Sequence, residues 1–497
     1  MAFKARAAGG AVSAERARRL ALIVASAATS AVVLLSFGRL SLKSIAFPYP
    51  LDYGEGAILD AALRLSRFTN IYPADLSTPP WFVSNYPPLY YLAHVPFVWL
   101  AGPALWYGRL LSQISAVVAA LSIGVVVTGL TVDAAAGVLA GLTFLAIPIV
   151  AAWAQYDRVD MLAFALTWIG LWLGLRGKRI GLSAACFVAA SFTRQTAAIP
   201  ALVAACVWLH VSGRTEAARR LVITVGIAGA TILLALDVIT RGGFVLHVIT
   251  GTVGHMRWDQ LVQLQRVLVT LVPWLLATLA AVVVLGAWAR LPGWPFIAAY
   301  GAAAAVASLA VAHDGSYINY FLDLCAAASL AVGMSVAWLR PRPLLATAAL
   351  AMVCLQAFEM ARPNVLSTHL LARLNRSAEY AHLTSLVVSQ AGPVLADEPM
   401  ALLPLNRRTI DFQPFAMTQL ARAGLWNPSS FVEGLAEGKY PLLLLRMPRQ
   451  QPVVISTLWD ASMAAAIEQS YEASERVPVD DGAFVAVMRP KSRLMPE

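Results

Sequence analysis

Long apolar runs separated by short polar segments fill the chain from about residue 20 to residue 360. Most are long enough to cross roughly 30 Å of hydrocarbon as a helix. They lie at 20–38, 110–130, 134–152, 161–175, 180–211, 221–239, 267–289, 294–312, 317–339 and 343–360. The 180–211 run is too long for one span and is interrupted by polar residues at 193–196, so we divide it in two. The pattern predicts a polytopic α-helical membrane protein with about eleven transmembrane helices.

The basic residues between these runs predict the orientation of the spans. Lys and Arg concentrate before the first run and at 176–179, 214–220 and 340–342, and short cytoplasmic loops are enriched in such residues. Placing all four groups in the cytoplasm requires an odd number of crossings between the first span and Arg176. We therefore predict that the proline-rich and aromatic stretch 87–102 is an interfacial or re-entrant helix that does not cross the membrane.

The composition supports a membrane protein and argues against a nucleic-acid binder. Hydrophobic residues make up 59% of the 497 positions and charged residues 13%, with a mean hydropathy of +0.68. The net charge of +10 could suit a polyanion, but a nucleic-acid binder clusters its cations on one face or groove. Here the cations sit in short loops between apolar runs, as expected for charges that orient a protein in a bilayer.

Three regions follow from these patterns. We predict a basic cytoplasmic N-terminus at 1–19, a transmembrane domain at 20–362 with a large first outer loop at 39–108, and a soluble α/β domain at 363–497 outside the membrane. In the last region short apolar runs alternate with amphipathic stretches. They predict strands at 386–388, 394–396, 442–445, 453–455 and 484–488, and helices near 416–424, 429–437 and 460–475.

In this topology polar residues from several separate loops fall on the outer face. Loops are commonly polar, but convergence of this kind at one membrane face is also typical of a site. The residues are Asp52, Glu55, Asp157, Arg158, Asp160, Arg194, Gln195, His313, Asp314 and Asn319.

The first outer loop holds two carboxylates, Asp52 and Glu55, on either side of Gly54. A carboxylate facing outward can take a proton from an attacking hydroxyl or hold a divalent cation. The same residues could instead cap the N-terminus of a surface helix. Spacing alone leaves both interpretations open.

The order of the motifs resembles a known family. The acidic motif is followed by Tyr-Pro-Pro-Leu-Tyr-Tyr at 86–91, Tyr-Asp-Arg-Val-Asp at 156–160 and Phe-Thr-Arg-Gln-Thr at 192–196. Over about residues 15–340 this order resembles the GT-C membrane glycosyltransferases. The most similar branch contains the protein O-mannosyltransferases, the lipid A aminoarabinose transferases and the lipopolysaccharide-core galacturonosyltransferases.

The resemblance implies a general base in the first outer loop and a sugar donor carried on a polyprenyl phosphate. The family's Asp-Glu pair falls on Gly54 and Glu55, so the base is Asp52 or Glu55. Tyr86 stands where some relatives have a Lys that contacts phosphate. Arg194 matches a position where relatives often have Lys, which implies a role in stabilising the departing phosphate; a snorkelling interfacial arginine is the alternative.

Further residues complete the predicted substrate site. Asp157 and Arg158 match the family's second acidic position, with a neutralising ion pair between them as the alternative to a role in binding. Gln195 adjoins Arg194, and a further outer cluster contains His313, Asn319 and Tyr320. A divalent cation is compatible with this set, but the ligand count is incomplete and no metal site is assigned.

The resemblance and the topology together predict an inverting glycosyltransferase. It would move a hexosyl or pentosyl unit from a polyprenyl-phosphate donor to a hydroxyl of a glycan, lipid or protein. The predicted location is the bacterial inner (plasma) membrane, with the active site and the C-terminal domain on the periplasmic or extracellular side. A transporter or lipid-glycan flippase is the competing class. The sequence has no inverted repeat, and its polar residues gather at one face rather than at the midplane.

Overall fold

The computed structural model describes residues 2–252, 254–448 and 458–491, with side chains from residue 24 onward. The first ten helices are α1 Ala2–Ala46, α2 Tyr53–Ser66, α3 Leu89–Ala101, α4 Trp106–Thr131, α5 Ala134–Ala146, α6 Pro148–Trp153, α7 Val159–Gly174, α8 Ile180–Ser191, α9 Ile199–Val211 and α10 Thr215–Ile239. The next six are α11 Gly243–Val248, α12 Trp258–Leu271, α13 Pro273–Ala289, α14 Trp294–Ser308, α15 Leu322–Leu339 and α16 Pro343–Met360.

The helical membrane architecture predicted from the apolar runs is confirmed. In the described residues, six helical segments are long and apolar enough to span a bilayer, and the pair α12 and α13, bent by 88°, would make a seventh. Other predicted spans are shorter apolar helices, such as α8 with 12 residues and α7 with 16. The count of about eleven crossings therefore stays a prediction.

The apolar runs break where the backbone requires it. The 180–211 run divides into α8 and α9 around the polar stretch, as expected. The 134–152 run also divides, which the hydropathy did not indicate, because Ile147 is extended (φ −60°, ψ 124°) ahead of Pro148. A proline disfavours helical backbone in the residue before it.

Small residues bring the helices of the bundle close together. A Cβ built on Gly137 of α5 would lie 2.4 Å from the carbonyl oxygen of Gly124 on α4, so the two backbones are in direct contact there. Close backbone approach through small residues is the usual way for membrane helices to associate. Phe144 and Phe164 stack nearby with their ring centroids 5.4 Å apart.

The predicted non-crossing segment forms helix α3. Its 13 residues give a length of about 20 Å, which is less than the hydrocarbon thickness. Tyr90, Tyr91 and His94 are buried against the protein, whereas Trp99 and Leu100 are 61% and 86% exposed. These features suit an interfacial or re-entrant helix, and the side of the membrane on which it lies stays a prediction.

The C-terminal region contains a four-stranded sheet of order β1-β2-β4-β3. Its strands are β1 Val394–Ala396, β2 Leu442–Pro448, β3 Tyr471–Pro478 and β4 Ala483–Pro490, with β1 parallel to β2 and the other pairs antiparallel. Its helices are α17 Val365–Leu374, α18 Ser377–Ser389, α19 Leu402–Leu405, α20 Pro414–Arg422, α21 Ser429–Ala436 and α22 Ala461–Ser470.

Most elements predicted for this region are present. The strands at 394–396, 442–445 and 484–488 and the helices near 416–424 and 429–437 are confirmed. The strand at 386–388 was wrong, because Leu383 and Val387 are buried at helical spacing within α18. The helix at 460–475 was correct only to Ser470, after which the chain enters β3. The strand at 453–455 lies outside the described residues.

The C-terminal region packs directly on the segment 39–108, the predicted first outer loop. The amide of Trp81 donates to the carbonyl of Asp411 at 2.7 Å, and the amide of Gln413 donates back to the Trp81 carbonyl at 2.9 Å. The indole of Trp81 is buried in a cluster with Phe412, Trp426 and other aromatic side chains. The loop and the tail therefore form one layer at the end of the helix bundle.

Candidate active site

Helix α2 begins with the two carboxylates of the first outer loop. Asp52 is the N-cap residue, with extended backbone, and its Oδ2 accepts a hydrogen bond from the amide of Gly54 at 2.8 Å. Glu55 completes a capping box by accepting the amide of Asp52 at 3.4 Å. Capping of this kind satisfies amides that the helix leaves free. Both residues therefore cap the helix, as the capping interpretation predicted. Their other contacts differ.

Glu55 is fully buried and saturated by hydrogen bonds. Arg109 of α4 donates to both carboxylate oxygens, from Nε to Oε1 and from Nη2 to Oε2, each at 2.8 Å. The amides of Asp157 and Leu51 donate to the same two oxygens at 3.0 and 2.7 Å. Both side chains of the Glu55–Arg109 pair have 0% exposure.

Arg109 also ties down the chain that leads into α2. Its guanidinium donates to the carbonyls of Ser44 and Phe47 from Nη1 at 2.7 and 2.6 Å, and to that of Tyr49 from Nη2 at 2.6 Å. The pair with Glu55 therefore joins α4, the end of α1 and the start of α2. This geometry leaves Glu55 no free oxygen for an acceptor hydroxyl.

Asp52 has a different environment although it lies only three residues away. Its Oδ2 pairs with Nη1 of Arg158 at 3.1 Å, and the two side chains keep 25% and 15% exposure. Burial raises the pKa of Asp52 above its ordinary value, and the charge of Arg158 partly opposes that shift. A partly open carboxylate with a raised pKa has the properties of a general base.

The Asp52–Arg158 pair leaves no room for a side chain at Gly54. A Cβ at position 54 would lie 1.3 Å from Nη1 of Arg158, so a side chain there would displace the guanidinium. The resemblance places the family's Asp at this position. In this chain the arginine fills that space, and Asp52 presents a carboxylate to it instead.

Arg158 connects the carboxylate to an aromatic wall. Its Nη2 donates to the hydroxyl of Tyr86 at 3.2 Å, and its guanidinium carbon lies 6.0 and 5.7 Å from the ring centroids of Tyr86 and Trp153. Burial raises the pKa of Tyr86, so its hydroxyl keeps its proton near neutral pH. Within the described part of the chain, Nε of Arg158 is buried without a hydrogen-bond partner.

A cavity of about 330 Å³ adjoins the Asp52–Arg158 pair. Another cavity, of about 390 Å³, lies elsewhere in the molecule. Tyr53, Gly54, Tyr86 and Arg158 form one wall of the cavity beside the pair. The lining also includes Asp314 and five residues that the sequence did not indicate as site residues: Arg257, Gln260, Tyr317, Gln413 and Phe415. The lining combines two arginines, aromatic rings and the carboxylate of Asp314, a set suited to a sugar phosphate, and Asp52 adjoins it through its contact with Arg158.

Arg194 belongs to a second cluster that does not line this cavity. Its Nε lies 3.3 Å from Oδ1 of Asp160, and its guanidinium carbon lies 4.5 Å from the ring centroid of Tyr320. Asn319 and Trp153 donate to the same carboxylate at 2.8 and 2.9 Å. The Arg194 side chain is only 10% exposed, so it is not a snorkelling residue. Asp160 supplies its counter-charge.

Asp157 points away from its neighbour Arg158. Its Oδ1 accepts the hydroxyl of Tyr90 at 2.8 Å and lies 3.0 Å from Nε2 of His94. The carboxylate is fully buried, and a Cβ on Gly108 would lie 2.1 Å from its Cγ. Asp157 thus joins α3 to α4. The ion pair considered between Asp157 and Arg158 is not formed in the described structure.

Gln195 and His313 also have positions outside the cavity. The side chain of Gln195 donates to the carbonyls of Asn85 and Val248 at 2.7 and 2.9 Å, which links the first outer loop to the end of α11. His313 contacts the Gly254 carbonyl at 3.4 Å through Nδ1. Its neighbour Asp314 is the residue that lines the cavity. The described residues contain no group of three or more His, Cys, Asp or Glu side chains placed to hold a metal ion.

The whole architecture is similar to solved structures of one protein. The crystal structure of ArnT from Cupriavidus metallidurans in the apo state matches with a TM-score of 0.57 and 14% identity, covering 97% of this chain and 100% of the other. The crystal structure of the same protein bound to undecaprenyl phosphate matches with a TM-score of 0.56 and 14% identity. That match covers 96% of this chain and 99% of the other. This chain has the fold of ArnT. No family model matches the sequence, and no curated protein matches it.

This likeness confirms the fold expected from the order of the motifs, that of the GT-C branch with lipid A aminoarabinose transferase. It extends through the C-terminal region, where the sequence resemblance had ended near residue 340. At 14% identity the ArnT likeness concerns the fold, and the roles of individual residues must come from the geometry of this chain.

Several residues of the site escaped the sequence analysis for identifiable reasons. Arg109 was detectable as a charge at the edge of an apolar run. Arg257 and Gln260 open the amphipathic helix α12 and looked like ordinary surface residues. Phe415 belongs to the tail, and only the packing of α20 against the first outer loop brings it to the cavity, where its amide meets the Tyr53 hydroxyl at 3.2 Å.

Proposed function

We propose that this chain is a membrane glycosyltransferase that moves a sugar from a polyprenyl-phosphate donor to an acceptor hydroxyl, with inversion at the anomeric carbon. The observation that carries the proposal is the partly exposed Asp52–Arg158 pair beside a cavity of about 330 Å³. The setting supports it: the fold is that of ArnT, and one ArnT structure is bound to undecaprenyl phosphate. A base and a phosphate-binding cation thus lie side by side.

The two members of the pair have complementary roles in the proposed reaction. Asp52 takes the proton of the acceptor hydroxyl as its oxygen attacks the anomeric carbon. The bond from that carbon to the phosphate oxygen breaks on the opposite face, and polyprenyl phosphate leaves with the bonding electrons. Arg158 stabilises the charge that develops on the phosphate. The proton on Asp52 is then released to solvent.

The contact between Asp52 and Arg158 suggests how the donor prepares the base. In the structure the arginine lies 3.1 Å from the carboxylate and lowers its basicity. A donor phosphate offers Arg158 a second anion, with two parallel hydrogen bonds available. As the guanidinium turns to the phosphate, Asp52 loses its counter-charge and becomes a stronger base.

Apart from Tyr86, the other predicted site residues act at a distance in this proposal. Tyr86 touches Arg158 and borders the cavity, so it contacts the donor. Arg194 and Tyr320 lie around Asp160, and this charge-balanced cluster supports the structure close to Tyr86. Glu55 and Asp157 hold the loop and α3 in place. Gln195, His313 and Asn319 position the surrounding segments.

We place the reaction on the periplasmic or extracellular side of the bacterial inner membrane. The basic loops support this orientation, and the acceptor is a glycan, a lipid or a protein hydroxyl. A transporter or flippase would need a polar path near the midplane. The cavity instead lies at the end of the bundle, between the first outer loop and the C-terminal region, which favours the transferase.

The test is sugar transfer by purified protein from a synthetic polyprenyl-phosphate sugar to membrane acceptors. Asp52→Asn should lower the rate by about 10²-fold or more, because the amide keeps the shape but accepts no proton. Donor binding should persist, since Arg158 is intact. Asp75→Asn, at an exposed carboxylate of the same loop, is the matched control and should be fully active. Normal transfer by Asp52→Asn would remove the proposed base.

A further inference from the structure

A second large cavity, of about 390 Å³, lies between the ends of α1, α5 and α16 and the start of α17. It shares no lining residue with the cavity beside Arg158. Three cations, Arg39, Lys43 and Arg362, border it, and its apolar wall includes Phe37 and Leu145. Cations around an apolar wall form an amphipathic recess, and the proposed reaction does not use it.

The described residues do not balance the charge of this recess. Arg39 and Lys43 lie four residues apart on one face of α1, where like charges repel. Neither side chain has an ion pair or a hydrogen bond with any residue in the described ranges. Arg362 contacts Glu359 at 3.1 Å, but both are more than half exposed, so that pair is weak. Three cations and one carboxylate leave an excess of positive charge.

The position of the cations along the spans indicates what they meet. Arg39 and Lys43 lie in the last two turns of the 24–46 span, and Arg362 follows the end of α16. Helix ends of this kind lie at the depth of lipid head groups. In the proposed orientation this is the translocated side, where Lys and Arg are disfavoured unless an anion compensates them.

An apolar groove continues from the recess along the bundle. It measures about 290 Å³, and its mostly apolar lining includes Trp274, Leu275, Met352 and Leu355, with Glu359 beside the recess. Met360 and Asn364 border both the groove and the recess. A ligand with an anionic head and an apolar chain would therefore fill the two together, whereas a free phosphate would leave the groove empty.

We propose that this recess binds the phosphate head group of an anionic glycerophospholipid, with an acyl chain in the adjoining groove. Arg39 and Lys43 donate to the phosphate, and Phe37, Leu145 and Met360 contact the upper part of the acyl chain. This site is independent of the proposed transfer reaction. Leu371 of α17 lines the recess, and Arg373 two residues later donates to the Leu51 carbonyl at 2.7 Å. A bound lipid would thereby steady the segment that leads to Asp52.

The test compares lipid retention by purified full-length protein. The protein is placed in nanodiscs of equal parts phosphatidylglycerol and phosphatidylcholine and released into detergent, and bound lipid is counted by native mass spectrometry. The wild-type chain should retain phosphatidylglycerol selectively. Arg39→Gln/Lys43→Gln should reduce its occupancy at least about tenfold, and Arg39→Lys should preserve it. The control Arg176→Gln/Lys178→Gln, which removes one Arg and one Lys from the exposed α7–α8 loop, should match the wild type.

Four results would contradict the proposal. Equal retention of both lipids would show that the groove is unselective. Undiminished phosphatidylglycerol on Arg39→Gln/Lys43→Gln would show that these cations only face the interface. Displacement of phosphatidylglycerol by excess undecaprenyl phosphate, but not by further phosphatidylglycerol, would make the recess a second site for polyprenyl phosphate. A final arm with soluble glycerol 3-phosphate should compete weakly; competition as strong as that of the lipid would contradict the role of the groove.

Discussion

Two arginine–carboxylate pairs lie side by side at the start of α2, with their carboxylates three residues apart. They consist of the same functional groups but differ in burial and in the number of hydrogen bonds. The Glu55–Arg109 pair has 0% exposure and hydrogen bonds to both carboxylate oxygens. The Asp52–Arg158 pair has a single contact at 3.1 Å and keeps part of its surface open. Burial and saturation make the first a structural joint, whereas incomplete pairing leaves the second free to react.

The energetics of the two pairs follow from this difference. Removing one partner of a buried ion pair leaves an uncompensated charge and typically costs about 3–5 kcal/mol. Removing one partner of a fully exposed pair typically costs about 1 kcal/mol or less, and the partly exposed Asp52–Arg158 pair lies between these two limits. The comparison therefore predicts that substitutions at Glu55 act on folding and that substitutions at Asp52 act on chemistry.

The largest effect should come from Glu55→Gln. The variant leaves the Arg109 guanidinium buried beside a neutral amide, so we expect a loss of about 3–5 kcal/mol in unfolding free energy and little folded protein in the membrane. Thermal unfolding of the purified protein measures it. The double variant Glu55→Gln/Arg109→Gln should recover part of the loss, because no charge remains unpaired. A stable and inactive Glu55→Gln would instead make Glu55 a catalytic group.

The next effect is expected from Gly54→Ala, which disturbs the open pair alone. The new Cβ would meet Nη1 of Arg158 and push the guanidinium away from both Asp52 and the cavity. We expect transfer to fall by about tenfold or more, since a charge that stabilises the departing phosphate is misplaced. The fold should survive, because the guanidinium lies at the edge of a cavity into which it can move. Gly38→Ala, with no atom near its Cβ, is the control and should leave the rate unchanged.

Arg194→Gln should lower both stability and transfer, whereas substitutions in the Glu55–Arg109 pair act mainly on stability and those in the Asp52–Arg158 pair mainly on transfer. The variant leaves Asp160 buried with only its Asn319 and Trp153 hydrogen bonds, so unfolding free energy should fall by about 2 kcal/mol or more. Transfer should fall less than in Gly54→Ala, because Arg194 does not line the cavity. Rates and melting temperatures on the same samples would check this. A rate lower than that of Gly54→Ala with unchanged stability would assign the phosphate to Arg194.

The smallest effect concerns pH. A base works only when deprotonated, and burial raises the pKa of Asp52, so the rate should fall with decreasing pH through a value above the ordinary Asp range of about 3.9. The bound donor draws Arg158 away from the carboxylate and so raises the pKa of Asp52 in the complex. The fall in kcat should therefore occur at higher pH than the fall in kcat/KM. Arg158→Gln should move the fall in kcat/KM to higher pH as well. An unshifted profile in Arg158→Gln would separate the arginine from the base.

Local order in the sequence was enough to predict much of the fold. The apolar runs correctly located most helices, and the polar break at 193–196 separates α8 from α9 as expected. The order of the motifs pointed to the fold that the ArnT structures share. Errors arose where local patterns are ambiguous. The segment 386–388 is apolar and contains two β-branched valines, but Val387 continues a helical row of buried residues in α18.

The sequence could predict the candidate site as a set of polar loop residues but not as an arrangement. Asp52, Glu55, Arg158 and Tyr86 were identified from motif order and spacing, and the structure brings them together. Position along the chain could not distinguish Asp52 from Glu55, because both cap the same helix. The partners that distinguish them, Arg158 and Arg109, are distant in sequence from both.

The sequence by itself determined the membrane class, the helical segments, the start of α2 and the residue types available for chemistry, because periodicity, capping and charge act over a few neighbouring residues. Only the tertiary structure decided which arginine pairs with which carboxylate and which side chains keep an open face. Packing α2 on α4 buries Glu55 against Arg109 and leaves Asp52 partly exposed beside Arg158, which lines a cavity that α12 and the C-terminal region complete. Burial sets the strength of each pair, and burial belongs to the assembled molecule.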